Sequence, residues 1–233
     1  MLGILGKKLG MTNIFDEAGK NVPVTVIEAG PCHVLQVKTK ASDGYDAIQI
    51  SFGKVREALV NKPDMARFKK AGAPAARFVK EIRVKDPAVY KVGQEIRADI
   101  FAKGDYLDVV GLTIGKGFQG GVKRWNLKGG NAGHGSMFGR VIGSIQSGAR
   151  LGRVTKGHNL PGRLGVERKT TQNIEIIDVD KEKNLIVVKG SVAGHTNSYL
   201  ILKEAKKRPK GFVKRKHVEV VTKKKSVKAT VKK

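Results

Sequence analysis

The chain has 233 residues, 40% of them hydrophobic, and a formal net charge of +26 at pH 7, enough apolar content for a real core in one domain or two. Its single cysteine, Cys32, excludes an internal disulfide framework and a cysteine-based zinc site. Lys7 and Lys8 break the apolar start that a signal peptide would need, and no run approaches the roughly 18 apolar residues of a membrane helix, so a soluble cytoplasmic protein is expected.

Residues 1–53 read as strands broken by turns. Val22–Ala29 is rich in β-branched residues and closes at Gly30-Pro31; Cys32–Thr39 follows, then a turn at Ser42-Asp43-Gly44, then Asp46–Phe52. A helical insertion is expected at about 55–76, with Pro63 at its start, Met65, Ala66, Phe68 and Lys69 on one face and Gly72 as its stop. Strands resume at Phe78–Val84, Gln94–Ile100 and Tyr106–Ile114. After a long glycine-rich interval, Asn173–Asp180 alternates Ile174, Ile176 and Val179 with acidic residues; Leu185–Val188 and Ser198–Leu202 complete the pattern. Many short strands with regular turns predict a mainly β body, a barrel or sandwich. A closed barrel is preferred because it leaves no open edge.

The charge is concentrated. Residues 1–114 carry a net +5, 115–168 a net +9, 169–202 none, and 203–233 a net +12. From Val109 to Val166 there is no acidic residue, and residues 115–168 hold fifteen of the 29 glycines and ten of the cations. Such a segment buries little apolar area and repels itself, so it takes its shape from a dense polyanion. The predicted organisation is a discontinuous body, 1–114 and 169–205, a basic finger, 115–168, and a flexible tail, 206–233. The tail's clusters Lys206-Lys207-Arg208 and Lys223-Lys224-Lys225 suit a polyanion tether.

Three motifs invite other readings. Gly115-Lys116-Gly117-Phe118-Gln119-Gly120 has the dinucleotide-binding spacing, but no periodic helix is expected after Gly120, and Arg140 stands where an acidic residue is required. His134-Gly135-Ser136 lacks a nearby carboxylate to orient the histidine; His134 reads as a turn residue or as a group stacking and hydrogen-bonding against RNA. Cys32-His33 lies in a strand with no second ligand pair and reads as core packing. The lone Trp125, beside Lys123 and Arg124, either joins a local apolar cluster with Phe118 and Leu127 or offers a flat face to a base. A DNA-compacting protein would explain the tail, but not a neutral β-rich body with one internal finger.

The order and spacing of Gly117-Phe118-Gln119-Gly120, Val122-Lys123-Arg124-Trp125, Lys128-Gly129-Gly130, His134-Gly135-Ser136, Gly143-Ser144-Ile145, Gly152-Arg153-Val154, Lys156-Gly157 and Gly162 to Gly165 resemble the bacterial-type large-subunit ribosomal protein L-three family. The start Gly3–Thr12 and the run Asn184–Gly190 are similar to the same family, and the resemblance covers about residues 1–205. It implies a translation-factor-type β-barrel, with a finger extending through large-subunit ribosomal RNA toward the peptidyl-transferase region. It also implies early assembly near the RNA's 3′ end, neighbouring large-subunit proteins, no enzymatic activity and no cofactor. Where many members carry a methylated glutamine this chain has Ala149, with Gln146 out of frame, so the modification is not carried over. The tail past Lys206 exceeds the usual family end. The candidate RNA-contacting residues are Lys116, Lys123, Arg124, Trp125, Lys128, His134, Arg140, Gln146, Arg150, Arg153, Lys156, Arg163 and Arg168. Met137, Phe138, Ile142 and Ile145 are expected to stiffen the finger by local packing.

Overall fold

The structure, a computed structural model, describes residues 3–16, 19–145 and 152–209. Gln146, Ala149 and Arg150, and the tail beyond Pro209, lie outside the described residues. The strands in chain order are β1 (Gly3–Phe15), β2 (Asn21–Ala29), β3 (Cys32–Lys38), β4 (Ala47–Lys54), β5 (Ala76–Arg83), β6 (Glu95–Ile96), β7 (Tyr106–Leu112), β8 (Phe118–Gln119), β9 (Gly162–Arg163), β10 (Arg168–Asp180), β11 (Leu185–Lys189) and β12 (Tyr199–Glu204). Helices are α1 (Lys40–Asp43), α2 (Lys62–Ala71) and α3 (Gly121–Trp125).

Six strands close a barrel in the order β1-β12-β7-β10-β11-β2, every neighbouring pair antiparallel. Alternation along each strand sends one set of side chains inward. Ile4, Ile27, Leu107, Val109, Ile176, Ile186, Val188, Leu200 and Leu202 are all essentially inaccessible to solvent. Closure leaves no free pairing edge in the barrel itself.

The remaining strands of the body form a separate four-stranded sheet, β5-β4-β3-β6. Its Val34, Ile48, Ile50 and Ile82 belong to the same apolar cluster as the barrel's Ile4 and Leu202, so one core spans both. A smaller cluster of Leu35, Phe68, Ala71 and Ala75 seats α2 against this sheet. The helix starts one residue before Pro63, which lies in its first turn, and stops at Gly72 in the left-handed conformation (φ 65°).

Four local expectations need correction. The strand expected at Gln94–Ile100 is only Glu95–Ile96; a 3₁₀ turn at Ala98–Ile100 then buries Ala98 and Phe101. Alternating apolar residues there fit either conformation. β10 begins at Arg168, five residues before the expected start, because a register shift between Thr171 and Ile174, with Asn173 at φ 56°, interrupts its alternation. The turn at Ser42-Asp43-Gly44 is the end of the short helix α1, capped by Gly44. A helix does follow Gly120, though only five residues long.

Candidate nucleic-acid interface

The basic arm leaves the barrel from the end of β7 and returns into β10, where Arg168 is paired with Leu112. Its root continues the β7–β10 pairing beyond the barrel. Thr113 N donates to Glu167 O (2.9 Å), Lys116 N to Leu164 O (2.9 Å) and Leu164 N to Gly117 O (2.9 Å); β8 and β9 then pair Phe118 with Arg163 and Gln119 with Gly162. The crossing is tight. A Cβ on Gly165, at φ 86°, would collide with the Ile114 carbonyl oxygen, so only glycine fits there. This hydrogen-bonded root is more ordered than a segment shaped by its partner alone, and charge composition gives no sign of it.

Above the root, α3 presents Arg124 and Trp125 across to the returning limb. Arg124 Nη1 and Trp125 Nε1 both donate to the Leu160 carbonyl oxygen (2.9 Å each), and the guanidinium lies over the indole ring, 4.9 Å from its centroid. The pair therefore braces the two limbs. Trp125 remains 43% exposed, leaving ring surface for a base to approach. The neighbouring apolar contact forms around Gly121, where Ile142 and Leu127 close in, while Phe118 is 73% exposed.

Farther out, Gly130 N donates to Gly139 O (2.9 Å), and the Phe138 ring packs over Gly130 and Gly143. Phe138 and Ile142 thus stiffen the arm as expected. Met137, 99% exposed, does not. His134 occupies a left-handed turn position (φ 56°) next to Gly135 (φ 73°), one of the two roles read from sequence. Lys116, Lys123, Lys128, Arg140, Arg153, Lys156, Arg163 and Arg168 are all exposed, and Arg124 is half-buried. Among the described residues none of these cations is ion-paired. The arm is a flexible-looking backbone only in composition; in shape it is a braced limb carrying unneutralised charge.

Two features of the arm's base escaped sequence reading. Asp108, buried in β7, accepts from Asn173 N (2.9 Å) and Lys206 N (3.2 Å), tying the bulge of β10 to the point where the chain leaves the barrel. Burial, helped by the nearby Arg168 charge, pulls the Lys203 amine below its usual value. An isolated aspartate in a strand carries no sequence signal of either partnership.

Among the described residues, no group of three or more His, Cys, Asp or Glu side chains could hold a metal ion, and no helix is long and apolar enough to cross a membrane. A closed barrel projecting a limb of exposed, unpaired cations, with no acid between Val109 and Val166, has the charge layout of the polyanion-binding class. Comparison with known proteins sharpens that class. The family model described as Ribosomal protein L3 matches residues 51–184. Two relatives, each described as "Large ribosomal subunit protein uL3", are similar over 206 residues, 88% of this chain. The one from Carboxydothermus hydrogenoformans is 53% identical with 98% of its length covered, and the one from Desulfitobacterium hafniense is 52% identical with 96% covered. The chain belongs to the ribosomal protein L3 family, whose members are structural proteins and not enzymes.

Proposed function

We propose that this chain is a structural constituent of the large ribosomal subunit in the cytoplasm, and that the basic arm is its principal contact with large-subunit ribosomal RNA. The barrel is a rigid mount, and the arm is slim enough to pass between RNA helices. Lys116, Lys123, Lys128, Arg140, Arg153, Lys156, Arg163 and Arg168 contact phosphate or ribose, and Arg150 and Gln146 extend the set by sequence alone. Arg124 and Trp125 hold the limbs together and offer a stacking surface. The arm points toward the peptidyl-transferase region, and the body binds early in assembly near the RNA's 3′ end beside other large-subunit proteins. The observation that carries this reading is the row of exposed cations without ion-pair partners on a limb that projects from the barrel.

The test is the salt dependence of binding. Arg153→Ala combined with Arg163→Ala is expected to weaken affinity for large-subunit RNA and to lower the slope of log K against log salt by about 1.4 to 1.8, from roughly 0.7 to 0.9 per phosphate contact. An unchanged slope would mean that these residues touch no phosphate.

A further inference from the structure

We infer that the groove between α2 and the edge strand β5 is a second RNA site, one that captures an unpaired nucleotide. The inference rests on the RNA-binding role proposed above but concerns a surface of the body remote in sequence from the arm. The groove encloses about 570 Å³, within the usual range for a small-molecule pocket. Leu35, Phe68 and Val79 supply an apolar floor, while Leu59, Arg67 and Arg77 stand along it. Leu59 is 69% exposed, a large apolar side chain with nothing packed over it.

Charge selects the occupant. Residues 54–86 hold ten lysines and arginines against four acids, a net +6, whereas residues 1–53 balance five against five and residues 87–114 hold three against four. Two of the four local acids are engaged already. Glu81 accepts from Lys38 (2.8 Å) and Tyr45 (2.7 Å), and Asp64 pairs with Arg67 (3.4 Å). Among the described residues Arg77 has no ion pair. An apolar slot flanked by guanidiniums in a positive field suits a base inserted onto the floor with its phosphates outside. Paired bases of a duplex cannot enter such a slot, so the ligand is a bulged or looped nucleotide. Asp64 opposes an anion at the helix end of the groove, which places the phosphate on the Arg77 side.

Two measurements with full-length protein and large-subunit RNA test this. Arg67→Ala with Arg77→Ala is expected to weaken binding about tenfold near 0.1 M salt and to lower the salt slope by about 0.7, the one phosphate contact to single-stranded RNA assigned to Arg77. In the second, an iron chelate tethered at Leu59→Cys generates hydroxyl radicals beside the groove; Cys32 is fully buried, so labelling is confined to position 59. Cleavage confined to a few unpaired nucleotides is expected, and this variant keeps the native arginines should the double substitution disturb folding. Unchanged affinity and slope in a folded double variant overturn the inference, as does absent or duplex-centred cleavage. So does a double variant that keeps RNA binding and instead loses an acidic protein partner. Arm substitutions that weaken binding while groove substitutions do not would defeat this inference alone; the reverse would defeat the arm reading.

Discussion

Replacing residues 120–161 by Asn-Gly removes the outer arm at a point the structure makes easy to close. Gln119 and Gly162 are directly paired, and a two-residue type I′ turn joins such a pair without splaying the strands. Among the described residues no member of the buried apolar core falls between Val110 and Ile174, so no core area is lost. The braces go with the segment, because Arg124, Trp125 and Leu160 are removed together. Were the arm a free loop, shortening it from 42 residues to two would favour folding by up to about 2.7 kcal/mol; its own hydrogen bonds make that an upper limit. Seven cations and no acid are also lost, which relieves self-repulsion. The expected result by differential scanning calorimetry is an unfolding temperature equal to the parent's or up to about 10 °C higher, at about 2–4 °C per kcal/mol. Affinity for large-subunit RNA collapses, and the salt slope falls by about 5 to 6 if each lost cation touches one phosphate, at roughly 0.7 to 0.9 per contact. A fall in unfolding temperature of more than about 10 °C would refute the separation of arm from core. Unchanged RNA binding would refute the arm as the principal contact.

Asp108→Ala leaves the amides of Asn173 and Lys206 without their acceptor and costs about 2–4 kcal/mol in chemical denaturation, with Asp108→Asn costing less because one acceptor oxygen remains. A loss below about 0.5 kcal/mol would show that water replaces the carboxylate there. Burial pushes the Cys32 thiol up to about 12 from its ordinary 9.0. The thiol should resist alkylation at pH 8 until the protein unfolds. Because the unfolded thiol gives up its proton first, stability is unaffected by this group below about pH 9 and falls by up to about 1.4 kcal/mol per pH unit between about 9 and 12. Cys32→Ala lacks that component, and identical slopes for parent and variant above pH 9 would contradict it.

Elements with strong local chemistry were legible from residues alone. Pro63 and Gly72 bracket α2 to within a residue of its ends, and the β-branched run through Val22–Ala29 lies on β2. Failures came where one pattern serves two conformations. Ile96, Ala98 and Ile100 alternate as a strand would, yet a 3₁₀ turn delivers Ala98 and Phe101 to the core. The start of β10, Arg168-Lys169-Thr170-Thr171, is polar and lies before a bulge, so periodicity points to Asn173 as the beginning. For the interface, the cations were legible because acid-free stretches are conspicuous. The brace was not: Arg124 and Trp125 meet Leu160 across 36 and 35 residues. Nor did the sequence reveal the groove, whose Leu35, Leu59, Phe68 and Arg77 converge from four separate elements and loops.

By itself the sequence determined that this protein has a β-rich body and a cationic limb with no internal neutralisation, since composition and short-range periodicity are local properties of the chain. Tertiary structure alone decided that six of the strands close on one another while four others form a second sheet sharing their core. It also decided that the limb is braced and that a positively charged groove opens on the body. The physical reason is the same in each case. Pairing of β1 with β12 joins residues almost two hundred positions apart, and such contacts are fixed by which side chains can be buried together once the whole chain is folded.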